Sequence, residues 1–361
     1  MATARVPRRA DGSNETPSVD VVVVGAGFAG MYALYRLRGL GLSVRVFETG
    51  DNVGGTWYWN RYPGARVDVA SLFYSYSFSS ELQQEWSWPE TYSAQPDLLR
   101  YAEAVADRFD LRRDIAFETT VVRAAYDERA ARWTIATDRG DRVSARYLVS
   151  AAGCLSATNV PDFNGIESFR GEWYHTSRWP HEGVDLAGKR VGVVGTGSSG
   201  IQAIPVIAEQ AAHLVVFQRT PNYSLPSNTQ PMDPEVEREW KAHYDEHRAK
   251  DRASYAGQYF EPIDRSALEV SDEERARRYE EMWTKGAFGL LQSFKDLRTN
   301  LEANETTAEF LRSKTRVSSR NPRVTPKPSP RKAMPAKLIV VTPRSPRSSG
   351  KRGKGSPTGW G

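Results

Sequence analysis

The chain has 361 residues, a length typical of two domains or of one domain with an insertion. With 39% hydrophobic and 26% charged residues, the composition is that of a globular protein with a sizeable core. No apolar run approaches the roughly 18 residues of a membrane span. Residues 1–18 lack the apolar stretch of a secretory signal and are predicted to be a disordered leader. The single cysteine, Cys154, excludes an internal disulfide, so a cytoplasmic protein is predicted. Because no apolar run is long enough to span a membrane, no membrane partner is predicted.

The net charge of +5 is unevenly distributed along the chain. Residues 314–361 hold 13 Lys or Arg and no Asp or Glu, whereas residues 1–313 carry a net charge of −8. Eight of the 21 prolines also fall in residues 314–361. This composition predicts an acidic globular body followed by a basic, Pro/Ser/Arg-rich tail that is mostly disordered. The tail has almost no interleaved aromatic residues, so no specific nucleic-acid partner is predicted.

The first predicted unit is a strand, a glycine-rich turn, a helix and a second strand. Residues 19–24 are an apolar strand, the helix runs to about Leu40, and residues 43–48 form the next strand. The turn between strand and helix has the spacing GxGxxG, which in this context binds the pyrophosphate of a dinucleotide. Glu48 ends the second strand, where a carboxylate hydrogen-bonds the ribose of FAD or NAD. The predicted contacts of the turn are Gly25, Gly27, Phe28 and Gly30.

The segment that follows is rich in aromatic residues from residue 54 to residue 88. A helix is then predicted over residues 96–109. Residues 132–137 and 145–151 have the character of strands and are predicted to belong to a small sheet.

The second predicted unit repeats the first. Residues 190–194 are a strand, GTGSSG at residues 195–200 is the glycine turn, and residues 213–218 are the next strand. This strand ends in the neutral Gln218 followed by Arg219. A carboxylate would repel a 2′-phosphate, whereas an arginine attracts one, so this site is predicted to prefer NADPH to NADH.

Residues 232–313 are rich in Glu, Arg, Lys and Ala and are predicted to be helical. Within them, residues 243–247 fit the zinc-protease pattern H-x-x-E-H. The pattern lies among charged residues on a predicted surface helix, so no metal site is predicted.

A flavin site beside a nicotinamide site indicates transfer of a hydride to the flavin. A disulfide reductase would also need a pair of cysteines, which this chain lacks. Oxygen is therefore the predicted acceptor of the electrons, and the predicted cofactors are FAD and NADPH.

Two further motifs carry a resemblance to a known family. Residues 169–180 read FRGEWYHTSRWP and fit F-x-G-x-x-x-H-x-x-x-W-P, with Phe169, Gly171, His175, Trp179 and Pro180 at the specified positions. Residues 54–68 read GGTWYWNRYPGARVD. Over residues 19–313 the chain resembles the type I Baeyer–Villiger flavin monooxygenases, such as phenylacetone and cyclohexanone monooxygenase.

The resemblance implies an enzyme that inserts one oxygen atom of O2 into a small-molecule ketone to give an ester or a lactone. NADPH reduces FAD, and oxygen forms a flavin C4a-peroxide that attacks the ketone. The counterpart of Asp68 positions a catalytic arginine beside the flavin, so Asp68 is the predicted catalytic residue. His175 is expected either to couple domain movement to the nicotinamide or to be a hydrogen-bonded linker histidine.

The resemblance also implies cofactor contacts. The predicted FAD contacts are Glu48, Gly54, Gly55, Thr56, Trp57, Asp68, Tyr74 and Val121. The predicted NADP contacts are Arg66, Thr196, Gly197, Ser198, Ser199, Gly200, Ile201, Gln202, Arg219 and Thr220.

The sequence departs from the family pattern after Lys314. By spacing, the family's Lys-Arg pair, which includes the catalytic arginine, falls on Leu338 and Ile339. The abrupt change of composition is that of a shifted reading frame, with a genuine basic tail as the alternative. The tail is therefore expected not to complete the FAD domain.

The predicted fold class is α/β, with two Rossmann-like dinucleotide-binding domains, a helical insertion and an incomplete FAD domain. The predicted boundaries are 19–160 for the FAD-binding part, 161–230 for the NADP-binding domain, 231–313 for its helical part and 314–361 for the tail. A monomer is expected. A flavin monooxygenase acting on nitrogen or sulfur and an inactive truncated remnant are the alternative functions.

Overall fold

The computed structural model describes residues 16–219, 224–225, 227–254, 263–285, 289–318 and 338–342. Residues 1–15 of the predicted leader and most of the predicted tail lie outside these ranges. Within them, no helix combines the length and the hydropathy needed to cross a membrane.

The first sheet has six strands in the spatial order β3-β2-β1-β6-β5-β4. Strands β1, β2, β3 and β6 are parallel, whereas β4 and β5 extend the sheet in antiparallel fashion from β6. Val21, Val22 and Val23 of β1 are buried because the strand lies between β2 and β6 at the centre of the sheet. The strands are β1 (Ser18–Val24), β2 (Val44–Phe47), β3 (Ile115–Ala116), β4 (Val121–Asp127), β5 (Arg132–Thr137) and β6 (Arg142–Ser150).

The prediction of a separate small sheet was wrong. Strands β4, β5 and β6 are continuous with the parallel strands, because β6 pairs with β5 on one side and with β1 on the other. The main-chain hydrogen bonds of both edges of β6 are thereby satisfied within one sheet. This arrangement carries the chain after Ser150 to the edge of the sheet at which β1 also ends.

The first four helices belong to this unit and cover its apolar surface. Helix α1 buries Met31 and Leu34, which are three residues apart and lie on one face. Helix α4 buries Leu98, Tyr101 and Val105 at helical spacing in the same core. The helices are α1 (Phe28–Gly39), α2 (Thr56–Trp59), α3 (Ser80–Glu85) and α4 (Gln95–Arg108).

The second unit is a smaller sheet built on β8, which pairs in parallel with β9. Helix α5 follows the second glycine turn and buries Ala203 and Ile207 against Val191 and Val193 of β8. Its elements are β7 (Glu172–His175), β8 (Arg190–Val194), α5 (Ser198–Gln210) and β9 (His213–Phe217).

The segment after the second sheet is helical, as predicted. This segment has a buried cluster of its own, which includes Tyr279 of α8, Leu311 of α9 and Phe294 from the chain between the two helices. The helices are α6 (Pro234–Ala242), α7 (Tyr244–Ala253), α8 (Asp272–Lys285) and α9 (Leu301–Ser318). Short 3-10 helices occur at Ser71–Phe73, Arg112–Asp114, Ile166–Ser168, Thr176–Arg178 and Gly289–Gln292.

Two elements extend into the predicted tail. Helix α9 continues to Ser318, beyond the boundary predicted at residue 314. Strand β10 (Leu338–Thr342) pairs antiparallel with β7 on one side and with β8 on the other. The second sheet therefore has the order β7-β10-β8-β9, and no described strand after β6 joins the first sheet.

Candidate functional site

A cleft of about 630 Å³ opens where the parallel strands of the first sheet end. Its walls come from the first glycine turn, the end of β2, the turn before α2, the segment after β6 and the motif of residues 169–180. Open α/β sheets bind ligands at this edge, and the volume falls in the usual range for a bound small molecule. The predicted FAD contacts that border the cleft are Gly25, Gly27, Phe28, Glu48, Gly54, Gly55, Thr56, Trp57, Tyr74 and Val121.

The first glycine turn brings the start of α1 to the cleft. Gly25 has a φ of +99°, and a Cβ there would lie 2.7 Å from the carbonyl oxygen of Ala151. A Cβ on Gly30 would lie 1.9 Å from the carbonyl oxygen of Gly25, so the helix packs on the turn only with glycine at residue 30. Gly30 is buried beneath the cleft and does not border it.

Helix α1 begins without a side-chain cap and without an acidic residue in its first turn. Its first N–H groups and the positive end of its dipole are therefore available to an anion. Gly27 precedes the helix, and a Cβ on Gly55 would lie 2.8 Å from the Cα of Gly27. The two backbones thus meet at the floor of the cleft, which suits the approach of a pyrophosphate.

The carboxylate of Glu48 is buried and held by two main-chain donors. The N–H of Ala26 donates to Oε2 at 2.7 Å, and the N–H of Gly50 donates to Oε1 at 2.8 Å. Each oxygen keeps a second lone pair for a further donor such as a hydroxyl. Glu48 therefore fits the predicted role as ribose acceptor and also fixes the glycine turn to the end of β2.

An aromatic cluster borders the cleft beside the start of α1. The indole N–H of Trp57 donates to the hydroxyl of Tyr74 at 3.0 Å, and the two rings meet edge to face. Phe28 packs edge to face on Tyr74, with ring centroids 5.5 Å apart. Burial raises the pKa of the Tyr74 hydroxyl, which therefore remains protonated over the physiological range.

Several cleft residues were missed in the sequence. Most follow β6, whose place beside β1 was not predicted, or lie inside the motif of residues 169–180 and just after it. Two signals in the sequence could have identified them. One is a position between the specified residues of the motif, and the other is a position directly after a predicted strand. The missed residues are Val24, Ala29, Phe47, Thr49, Trp59, Asn60, Thr119, Ala151, Ala152, Gly153, Leu155, Ser156, Thr158, Ser177, Arg178 and His181.

His175 caps the 3-10 helix within the motif. The N–H of Ser177 donates to Nδ1 of His175 at 3.2 Å, and the Ser177 hydroxyl lies 2.8 Å from the same atom. Nδ1 of His175 is thus the capping acceptor of this short helix. The Ser177 hydroxyl also lies 2.9 Å from that of Thr158, so the cap is tied to the segment after β6. These hydrogen bonds join the motif to the segment after β6.

The rest of the motif divides between cleft and core. Trp179 and Pro180 border the cleft, and the buried Trp179 ring also packs in the core of the second unit. Phe169 is partly exposed, and neither Phe169 nor Gly171 borders the cleft. The motif therefore links the cleft to the second sheet through Trp179.

The second glycine turn repeats the geometry of the first. Gly195 has a φ of +99°, and a Cβ on Gly200 would lie 2.5 Å from the carbonyl oxygen of Gly195. Around Gly197 there is open space, and α5 begins after it without a side-chain cap or an acidic first turn. This helix terminus is a second site with free N–H groups for a phosphate.

The ribose-reading position of the second unit is organised differently from the first. The side-chain amide of Gln218 donates to the Thr196 hydroxyl at 2.7 Å, which joins the end of β9 to the glycine turn. Arg219 is exposed beside it. In the turn, Ser198 and Ile201 are exposed and Ser199 is buried. Thr220 lies outside the described residues.

Asp68 lies where the two units meet, and it does not border the cleft. The side-chain amide of Gln202 donates to Oδ1 of Asp68 at 2.9 Å and to the Arg66 carbonyl oxygen at 3.1 Å. The Tyr62 hydroxyl donates to the Gln202 side chain at 2.8 Å. Loss of solvent raises the pKa of Asp68, although its side chain is partly exposed, and the Gln202 bond opposes that rise.

The Arg66 side chain contacts residues of two other segments. Its guanidinium contacts the Glu90 carboxylate at 3.4 Å, the Tyr92 carbonyl oxygen and the Thr229 hydroxyl at 3.2 Å. Nearby, a Cβ on Gly64 would lie 2.3 Å from the carbonyl oxygen of Gln202. Residues 62–68 therefore pack closely on α5 and form one contact between the two units.

One histidine of the H-x-x-E-H pattern, His247, stacks on an aromatic ring. The His247 ring stacks on Trp240 with centroids 3.7 Å apart, and His243 lies against the end of α6. Within the described ranges, no group of three or more His, Cys, Asp or Glu side chains converges as metal ligands would.

The sequence is similar to a known protein family and to curated monooxygenases. Residues 18–231 match the family model described as flavin-binding monooxygenase-like. The chain is 44% identical over 315 residues to a Baeyer–Villiger monooxygenase of Pseudooceanicola batsensis, in a match that covers 86% of this chain and 58% of the relative. It is 39% identical over 333 residues to a phenazine N-monooxygenase of Lysobacter antibioticus, covering 91% of this chain and 60% of that protein.

Solved structures resemble the chain to a similar extent. A steroid monooxygenase bound to NADP is 57% identical with a TM-score of 0.81, covering 85% of this chain and 59% of the other. A cyclohexanone monooxygenase in an open crystal structure is 44% identical with a TM-score of 0.83, covering 87% and 63%. The chain thus spans somewhat less than two thirds of the length of these proteins.

Proposed function

Because this chain belongs to the flavin-binding monooxygenase-like family, we propose that it acts as an FAD- and NADPH-dependent monooxygenase. The proposed reaction inserts one oxygen atom of O2 into a ketone to give an ester or a lactone. One observation carries the proposal: two uncapped helix N-termini follow glycine turns in one chain, and the first opens onto the 630 Å³ cleft. Residues 19–160 are the proposed FAD-binding part, residues 161–230 the NADP-binding part, and residues 231–313 its helical extension.

The residues of the cleft fit FAD. When bound, FAD would supply the redox chemistry that carries two electrons from NADPH to oxygen. The free N–H groups of α1 and the bare backbone at Gly27 and Gly55 would hold the pyrophosphate, and Glu48 would accept ribose hydroxyl hydrogen bonds. The Trp57 and Tyr74 side chains would form an apolar wall that excludes water from the cleft.

The second unit fits NADPH. The start of α5 would bind the pyrophosphate, and Arg219 at the end of β9 would pair with the 2′-phosphate. Gln202 would connect the two cofactors, because it lies on α5 and donates hydrogen bonds to Asp68 and to the Arg66 carbonyl. Arg66 would reach the nicotinamide nucleotide only after leaving its contacts with Glu90 and Thr229.

Asp68 is the proposed catalytic residue. Gln202 orients its carboxylate at the contact between the two units. The resemblance implies that this carboxylate positions a catalytic arginine near developing negative charge, and by spacing the Lys-Arg pair that contains it falls on Leu338 and Ile339 here. In a chain that carries an intact C-terminal segment with this arginine, replacement of Asp68 by alanine should reduce ketone oxygenation and leave FAD bound. Unchanged ketone turnover in Asp68→Ala would remove this side chain from the mechanism.

The substrate class is proposed from the relatives named as Baeyer–Villiger monooxygenase and cyclohexanone monooxygenase. Oxidation at nitrogen is the second candidate, because a phenazine N-monooxygenase is 39% identical over most of this chain. Cytoplasmic location and a monomeric state stay predictions from the sequence.

The test begins with FAD binding by the purified chain, followed by product analysis with NADPH and either cyclohexanone or phenazine. Ester or lactone formation supports the ketone reaction, and N-oxide as the sole product supports the second candidate. Gly30→Ala should abolish FAD binding, because the new Cβ would lie 1.9 Å from the Gly25 carbonyl oxygen. Gly39→Ala on the same helix is the matched control, since nothing lies within 4 Å of its Cβ position. A wild-type chain that binds no FAD would overturn the proposal.

A further inference from the structure

Arg248 of helix α7 reaches from the helical segment into the first unit. Its guanidinium donates to the carbonyl oxygens of Phe73 at 3.0 Å and Ser75 at 3.0 Å, and to the Ser75 hydroxyl at 3.0 Å. A longer contact of 3.5 Å joins it to the Leu72 carbonyl oxygen. These acceptors lie at the C-terminal end of the 3-10 helix Ser71–Phe73 and in the turn directly after it.

The turn that Arg248 holds carries Tyr74 into the aromatic cluster that borders the cleft. Tyr74 lies between the residues whose carbonyls accept from Arg248, and its hydroxyl accepts the indole N–H of Trp57. Both Trp57 and Tyr74 border the cleft, whereas Arg248 does not. The hydrogen bonds of Arg248 to this turn therefore give a direct route from α7 to the cleft.

Arginine suits this position better than other cations. The last carbonyls of a helix lack internal partners, and a planar guanidinium can satisfy several of them at once. The side chain is mostly buried, with 13% of its surface exposed, and the Asp251 carboxylate lies 3.9 Å away. The Tyr244 ring lies under the guanidinium, 5.6 Å from its central carbon, so α7 itself helps to orient the guanidinium plane.

We propose that Arg248 is a positioning residue for the flavin cleft, which it shapes by fixing the Leu72–Ser75 turn and with it the Tyr74 side chain. The proposal rests on FAD binding in the cleft, as in the proposed function. It assigns to the helical segment a role in binding the flavin, although none of the described residues of that segment borders the cleft.

The first experiment needs no cofactor. Amide hydrogen exchange of residues 71–76 is compared in the wild-type chain, Arg248→Met and Arg252→Met. Arg252 lies on the same helix and is exposed, so its replacement is the matched control. Arg248→Met should speed exchange in this turn at least about tenfold, the effect of losing one hydrogen bond of roughly 1.4 kcal/mol. Exchange equal to that of Arg252→Met would overturn the proposal.

The second experiment measures the FAD dissociation constant by flavin fluorescence. Arg248→Met should weaken FAD about tenfold, and Arg248→Lys should weaken it less, because an ammonium keeps the charge but reaches fewer acceptors. Combination with Tyr74→Ala tests the route. If Arg248 acts through Tyr74, then Arg248→Met should weaken FAD less than about twofold in the Tyr74→Ala background.

The outcomes separate this inference from the proposed function. Full additivity of the two replacements, or unchanged FAD affinity in Arg248→Met, would overturn the positioning role while the flavin function stands. Loss of folding in Arg248→Met is recognised by circular dichroism, and Arg248→Lys then carries the test. A wild-type chain that binds no FAD fails the proposed function, and the positioning role of Arg248 fails with it even where exchange in the turn changes.

Discussion

Replacement of Gly64 by alanine should loosen the contact between the first and the second unit. Gly64 has a φ of +78°, and a Cβ there would lie 2.3 Å from the Gln202 carbonyl oxygen and 3.1 Å from Cγ2 of Val206. Gly41 offers a matched control, because its φ is also +78° and nothing lies within 4 Å of its Cβ position. The two replacements share the backbone strain and differ only in the clash with α5.

The magnitude follows from these two terms. A left-handed conformation costs a residue with a Cβ about 1–2 kcal/mol, so Gly41→Ala should destabilise the chain by that amount. Insertion of a methyl group into a packed contact adds roughly 1–3 kcal/mol, so Gly64→Ala should cost about 2–5 kcal/mol in total. Part of this cost is relieved if residues 62–68 move away from α5. In that case the Gln202 bond to Asp68 lengthens.

Urea unfolding of both variants measures the free energies, and amide hydrogen exchange over residues 60–68 and 198–206 locates the change. Gly64→Ala should accelerate exchange in both segments, whereas Gly41→Ala should affect neither. Equal costs for the two variants, or protection of both segments in Gly64→Ala, would refute the inferred packing of this loop on α5.

Three further predictions concern the sites and the helical segment. Arg219→Ala should weaken NADPH by roughly ten- to a hundredfold and leave NADH affinity unchanged in titrations, because it removes a charge-assisted bond to the 2′-phosphate; equal losses would exclude Arg219 as the phosphate reader. Glu48→Ala should destabilise the chain in urea by about 1–3 kcal/mol per N–H even without FAD, because the N–H groups of Ala26 and Gly50 lose their buried acceptor. Burial lowers the pKa of His247 in the folded chain below its ordinary value of 6.5, which applies to the unfolded chain. Between the folded-state pKa and the unfolded-state pKa, the unfolded chain therefore binds more protons than the folded one. Wild-type stability should therefore rise with pH through this window and fall as the pH drops, and His247→Gln should flatten that dependence in urea unfolding; parallel profiles would contradict the assignment.

The sequence by itself determined the parts of this protein that depend on local spacing. The two glycine turns, the helices after them and the ends of the following strands lie where the patterns predicted them. The position of Glu48 beside the glycine turn could be predicted because the βαβ unit itself brings the residue after β2 to that turn. The same reasoning identified Gln218 and Arg219 at the end of β9.

Only the tertiary structure decided the contacts between distant segments. The pairing of β6 with β1 brings the segment after Ser150 into the cleft, and nothing in the local pattern of β6 specifies its neighbour. Gln202 meets Asp68 across 134 residues of sequence, and Arg248 meets Phe73 across 175. These contacts follow from the packing of whole units, because hydrophobic periodicity specifies which face of an element is buried but not which element covers it.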